Sequence, residues 1–269
     1  MAIDQTIDIG KVLEKKTGKK LPGFVLRLVK SFIHQDYING YLSRPGEGKR
    51  FFLDILDYMH LKVNVRGWEN LNIAPEGTRF TFASNHPLGG VDAITLQGLL
   101  WDHFDEAPGI MANDFLMNLP AVAEIGVGIN KTGGQARNLG EQVKGLFHSD
   151  KNVLIFPSGK CSRMIDGQIQ DPQWTKTFVK MSVESGRWIV PGRFVGENSK
   201  RFYRLDRLFN RLGIRFNIGM ALLPDELYRA RGKSFEIIIG APIPPEQIDS
   251  SKTALEWANV LRDKVYSLK

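Results

Sequence analysis

The chain has 269 residues, 42% of them hydrophobic, with a formal net charge of +7 and one cysteine, Cys161. That length buries a sizeable core and suits one α/β domain, or one with a helical extension; a lone cysteine excludes an internal disulfide framework and suits a reducing compartment. The basic excess points to anionic partners, whether nucleic acid, an anionic lipid surface or a phosphate-rich substrate, and no run reaches the roughly 18 apolar residues of a spanning helix, so any partner in a membrane would have to be met from the membrane surface.

The opening "MAIDQTIDIGKVLEKK" is polar and lacks an apolar leader core, so the expectation is a chain without a signal peptide. Residues 1 to 60 read as a helical extension. Within "LPGFVLRLVKSFIHQDYINGYL", Phe24, Leu28 and Phe32, with Val25, Val29 and Ile33, recur at helical spacing. "SRPGEGKR" is a turn, and "FFLDILDYMH" is a second amphipathic helix. From Leu61 to residue 269 short apolar runs alternate with longer helical stretches. The expected strands are "LKVNVRG", "RFTFAS", "GIMAN", "GVGIN", "NVLIFP", "WIVPGRFVG", "FNIGMALL" and "FEIIIG". Helices are expected over Val91–Phe104, Gln135–Phe147, Thr175–Glu184 and Ser251–Ser267. This alternation implies an α/β sheet with helices on both faces, with sites at the carboxyl ends of strands.

Two strands deliver polar loops there. "SNHPLGGVD" places His86 and Asp92 around a glycine turn. An imidazole is a general base near neutral pH, and it works best when a carboxylate fixes its tautomer. A satisfied loop histidine beside a dipole-complementing Asp92 is the bland alternative. "FPSGKCSR" opens a long polar loop that runs to Trp174 and forms a candidate anion-binding nest with Ser158, Gly159, Lys160 and Arg163; an ordinary exit from a strand is the alternative. It is not a phosphate-binding loop of the Walker type, because Leu154 and Cys161 stand where Gly and Ser or Thr are required. A third stretch, "IGVGINKTGGQ", has a strand ending at Asn130 and Lys131, where a cation can reach an anion, although a solvated lysine is the commoner explanation of such a position.

Taken in order, "SNHPLGGVD", "GVGINKTGG", "FPSGKCSR" and "IVPGRFVG" resemble the motifs of the glycerolipid acyltransferase superfamily, over roughly Leu61 to Gly240. The likeness is greatest to the bacterial haemolysin-like and ornithine- or glycine-lipid O-acyltransferases. The resemblance implies a mixed, largely parallel sheet flanked by helices, with the helical extension at residues 1 to 60 and the acyltransferase domain at 61 to 269. It implies an acyl thioester donor, on coenzyme A or acyl carrier protein, and a lysolipid or glycerol-phosphate-type acceptor. His86 would take the hydroxyl proton and Asp92 would orient it. Asn85, Gly89, Asn130, Lys131, Ser158, Gly159, Lys160 and Arg163 are the expected substrate-binding residues, with backbone N–H groups near Ser158 and Gly159 facing the oxyanion. No metal or cofactor is expected. The chain departs from the family in leaving five residues, Pro87 to Val91, between His86 and Asp92 where four are usual. Ser158, Lys160 and Lys131 replace residues that hold the acceptor's phosphate, which turns the expectation away from glycerol 3-phosphate. "PEGTRF" spells the third motif too early in the chain, and it reads as a turn feeding "RFTFAS".

"KRFYRLDRLFNRLGIRF" reads as a basic amphipathic helix able to lie on an anionic membrane, or as a helix packed on the domain with a solvated basic face. "KKLPGFVLRLVKSFI" is a second candidate, for which packing against the core is the preferred reading. The expected location is therefore cytoplasmic, peripheral on the inner face of the cell membrane. No nucleic-acid-binding module is recognisable. A non-catalytic lipid-binding protein and a hydrolase are the alternative readings.

Overall fold

The computed structural model describes residues 6–43, 46–113, 116–129, 136–213 and 218–269. Four helices come first: α1 (Ile9–Thr17), α2 (Gly23–Phe32), α3 (Gln35–Leu42) and α4 (Lys49–Tyr58). The apolar spacing runs through 21–42, but the chain breaks at His34, whose φ is 51°. Tertiary contacts compensate for that left-handed backbone. The His34 ring stacks on Tyr228 at 3.7 Å, and its Nε2 lies 2.9 Å from the Asp225 carboxylate. Tyr41 and Leu42 of α3, Phe51, Phe52 and Ile55 of α4, and Met59 just past α4 are buried in one core with the sheet.

The α/β part then runs β1 (Lys62–Arg66), β2 (Phe80–Ser84), α5 (Val91–Phe104), β3 (Gly109–Asn113), α6 (Pro120–Ala123), β4 (Gly126–Ile129), α7 (Ala136–His148) and β5 (Val153–Ile155). It continues as β6 (Arg163–Ile165), β7 (Gln168–Gln170), α8 (Thr177–Glu184), β8 (Trp188–Val195), α9 (Lys200–Arg211), α10 (Ile218–Arg229), β9 (Ser234–Ile239) and α11 (Ala254–Ser267). Among the described residues the main sheet has seven strands in the order β1-β9-β8-β2-β5-β3-β4. All neighbours are parallel except β8 and β9, so the sheet is mixed and largely parallel, as expected.

The central strand β2 is buried at every position, as a strand covered on both faces must be. Its alternation sends Phe80 and Phe82 into the core shared with α4 and α5. Ala83 faces the other core, with Phe147 of α7, Phe178 of α8 and Leu261 and Val265 of α11. Arg187 fastens the end of the sheet away from the site: its fully buried guanidinium donates to the carbonyls of Phe80, Phe147, Ser149 and Lys151.

Two expectations need correcting. "FNIGMALL" is not a strand, since its described part opens α10. A short apolar run has no period of its own that separates strand from buried helix, and the continuation through Asp225 and Glu226 is helical. The polar loop to Trp174 also contains the β6–β7 hairpin. Asp166 and Gly167 turn it, with φ of 49° and 80°, as an Asp-Gly pair does between antiparallel strands.

Candidate functional site

The site arises where β2 and β5 end. They are parallel neighbours, with Ala83 opposite Ile155, so Asn85–His86 and Phe156–Pro157 leave the sheet side by side. The His86 ring stacks on Phe156 at 4.1 Å between centroids. Asn85 does not point to open space: its amide donates to the Phe194 carbonyl at 2.9 Å and accepts from the Phe194 N–H at 2.8 Å, tying the loop to β8.

Past His86 the chain reverses through Pro87–Gly90 and enters α5. The added residue between histidine and aspartate does not part them, for His86 Nδ1 lies 3.0 Å from Asp92 Oδ2. The same oxygen accepts from the Leu88 N–H at 2.9 Å and the Gly89 N–H at 3.3 Å, while Oδ1 accepts from the Ala93 N–H at 2.9 Å. Gly89 makes this possible with φ of 74°; a Cβ there would lie 2.8 Å from Leu223 Cδ2 and 2.9 Å from Cys161 Cβ. Only glycine fits such a turn without strain.

Asp92 is fully buried, and the His86 side chain is 15% exposed. Burial works against a charged imidazole, and Arg163 adds to that. The Asp92 carboxylate reverses both effects, so the His86 pKa lies above the ordinary imidazole value. Burial likewise opposes the Asp92 charge, but His86 and the Leu88 and Ala93 N–H groups hold its pKa below the usual carboxylate range. With Nδ1 committed to Asp92, Nε2 is the ring nitrogen left to meet a substrate proton.

The third-motif residues are arranged differently. Ser158, Gly159 and Lys160 form a tight turn just beyond β5, with the Ser158 hydroxyl donating to the Lys160 carbonyl at 2.7 Å. The Gly159 N–H is already used, donating to the Phe156 carbonyl at 2.9 Å, so it is not an open oxyanion donor in this turn. Lys160 is exposed. Arg163 turns inward: its Nε lies 3.2 Å from Asp206 of α9, its Nη1 bonds to Cys161, and its guanidinium covers the Phe202 ring. Asn130 and Lys131 lie outside the described residues.

One residue at the site has no mark in the sequence: Asp171, whose buried carboxylate accepts from the His86 backbone N–H at 3.2 Å. An aspartate before a proline in a polar loop carries no motif, and only the fold brings it to His86. Two clefts, of about 540 Å³ beside His34 and Tyr228 and about 450 Å³ between the β6–β7 hairpin and α9, do not include His86 in their linings. The catalytic candidate therefore stands on its paired geometry. Among the described residues no group of three or more His, Cys, Asp or Glu is placed to hold a metal ion.

A model of the family described as "Acyltransferase" matches residues 11–269. The chain is 42% identical over 267 residues to a lyso-glycine lipid O-acyltransferase of Phocaeicola vulgatus, covering 97% of this chain and 95% of that protein. It is 41% identical to the lyso-glycine lipid O-acyltransferase of Bacteroides thetaiotaomicron, covering 97% of each. Among solved structures it resembles the 1-acyl-sn-glycerophosphate (LPA) acyltransferase PlsC of Thermotoga maritima, with a TM-score of 0.50 at 16% identity, over 96% of this chain and 87% of that one. At that identity the likeness concerns the fold.

Proposed function

This chain belongs to the acyltransferase family, and from that premise we propose that it transfers a fatty acyl group from a thioester to the free hydroxyl of a lysolipid. The relatives point to an acyl-glycine acceptor. The donor is acyl-coenzyme A or acyl carrier protein. The observation that carries the mechanism is the 3.0 Å contact between His86 Nδ1 and a fully buried Asp92.

In the reaction the acceptor hydroxyl attacks the thioester carbonyl as His86 Nε2 takes its proton. Asp92 holds the ring in the tautomer that leaves Nε2 able to accept, and it stabilises the imidazolium that forms. The tetrahedral adduct collapses with loss of the thiolate, which recovers the proton from His86. An ester and a free thiol are the products. The inward turn of Arg163 towards Asp206, and serine at 158, fit an acceptor without a phosphate to be clamped at this loop.

Peripheral docking on the inner face of the cell membrane completes the proposal. No residue of α2 is buried, and Phe24 and Leu28 are 69% and 67% exposed. Leu208 and Leu212, at the end of α9, are exposed beside Arg204, Arg207 and Arg211. The two helices adjoin, since the Arg201 guanidinium of α9 lies over the Phe32 ring of α2 at 5.5 Å. Apolar side chains ringed by guanidinium groups suit an anionic lipid surface.

Labelled acyl chains on both carriers, offered with an N-acyl glycine bearing a free hydroxyl, lysophosphatidic acid or glycerol 3-phosphate, test the acceptor. Transfer to the glycine lipid is expected. Exclusive transfer to glycerol 3-phosphate would overturn the acceptor assignment.

A further inference from the structure

His86 is gripped by its main chain as well as by its ring. Its backbone N–H donates to both carboxylate oxygens of Asp171, at 3.2 and 3.3 Å. Its carbonyl accepts from the Ser162 N–H at 2.8 Å. Ser162 closes the circuit by donating its hydroxyl to Asp171 Oδ1 at 2.6 Å. The result is a ring of hydrogen bonds through His86, Asp171 and Ser162, outside the Asp92 contact. Asp171 and Ser162 flank the β6–β7 hairpin, so that hairpin sets where they meet His86.

Asp171 is itself held from several sides. Trp174 Nε1 donates to its Oδ2 at 3.0 Å. Its backbone N–H donates to the Tyr266 hydroxyl at 2.8 Å, and its carbonyl accepts from Arg262 at 3.0 Å. Tyr266 and Arg262 belong to α11. Asp171 and Trp174 are fully buried, and Ser162 is nearly so. A buried carboxylate is costly unless donors surround it, and a neutral side chain would fill this space more cheaply. The charge is retained where it meets the main chain of the proposed base.

We infer that Asp171 is a positioning residue for the transfer reaction, fixing the His86 backbone through the Ser162 ring and adding a second negative charge close to His86. The inference rests on His86 serving as the base. The charged groups around His86 are then Asp92 from α5, Asp171 from after the hairpin and Arg163 from β6, and the buried Cys161 thiol lies against the Arg163 guanidinium. The two carboxylates favour the protonated ring, and Arg163 disfavours it.

Asp171→Asn separates charge from geometry. Its NH2 can donate to the Ser162 oxygen while its carbonyl accepts from Trp174 and His86, so the ring can persist uncharged. Histidine-selective NMR, with the His86 signal assigned by its loss in His86→Gln, is expected to show its titration midpoint falling by about one pH unit. The acid limb of the kcat profile should move down with it, and the plateau kcat should fall about tenfold while KM stays within about twofold. Ser162→Ala keeps the charge and opens the ring, and it should lower kcat about threefold or more without the midpoint falling. An unchanged midpoint and kcat in Asp171→Asn, with only a lower unfolding temperature, would make Asp171 purely structural and overturn the inference. Should Asp171→Asn fail to fold, wild-type kcat in Ser162→Ala would overturn it equally. If the wild type transfers no acyl chain while the NMR shift is present, the proposed reaction fails and the hold of Asp171 on His86 stands.

Discussion

Replacing Asp92 with asparagine keeps the shape of the side chain and removes its charge. In the wild type, among the described residues, Oδ2 meets three donors, from His86, Leu88 and Gly89, whereas Oδ1 meets the Ala93 N–H alone. The asparagine NH2 will therefore turn towards Ala93, where one hydrogen bond is lost instead of three. The hydrogen bond to His86 survives, but the ion pair that forms as the imidazole takes a proton does not. At 3.0 Å and an effective dielectric of about 20, that attraction is about 5 kcal/mol. Each tenfold in rate corresponds to about 1.4 kcal/mol, so the loss approaches 10⁴-fold, at the upper end of the roughly 10²- to 10⁴-fold that general-base catalysis contributes. Steady-state transfer of a labelled acyl chain should show kcat lower by about 10²- to 10⁴-fold, with KM little changed. The unpaired Ala93 N–H should cost about 1–3 kcal/mol of stability in urea unfolding. A variant within about fivefold of wild-type kcat, folded and with the same pH profile, would refute the reasoning.

The base must be neutral to accept a proton, and its pKa is raised, so kcat/KM should climb with pH through a midpoint above about 6.5. The same shift makes the His86–Asp92 pair stabilise the fold fully below the unfolded-state pKa of about 6.5, a contribution lost as pH rises through the folded value; stability curves of wild type and His86→Gln should converge over that rise. Gly89→Ala forces a side chain into φ 74° against Leu223 and Cys161, and it should lower unfolding stability by about 1–3 kcal/mol; an unchanged urea midpoint would count against the turn. The double variant Phe24→Ser with Leu28→Ser should abolish co-sedimentation with anionic vesicles while leaving the melting temperature in place, because α2 buries no residue. Equal binding to neutral and anionic vesicles by the wild type would remove the electrostatic part of that docking.

The elements with a clear period were legible in the residues. Val91–Phe104 forms α5 with the expected bounds, and the apolar runs expected as strands stand as β1, β2, β3, β5, β8 and β9. What escaped was set by contacts distant in the chain. His34 leaves the helical path because Asp225 and Tyr228, roughly 190 residues later, receive it. The run at 216–223 is apolar in both helix and strand, and only its surroundings decide. Within the site, His86 and Asp92 are near enough in sequence for their pairing to be read directly. Asp171 lies 85 residues from His86 and meets it only because the hairpin and α11 set it there. The local sequence sets Arg163 in an anion-binding nest, since nothing near it in the chain announces that Asp206 and Phe202 draw it inward.

The central claim is that His86 is the base for acyl transfer to a lysolipid hydroxyl. Its most direct test is one assay, with purified wild type and His86→Ala side by side, anionic vesicles, a labelled acyl thioester and an N-acyl glycine bearing a free hydroxyl. Labelled ester formed by the wild type and absent with a folded His86→Ala is the predicted result. Equal ester formation by both proteins would contradict the claim.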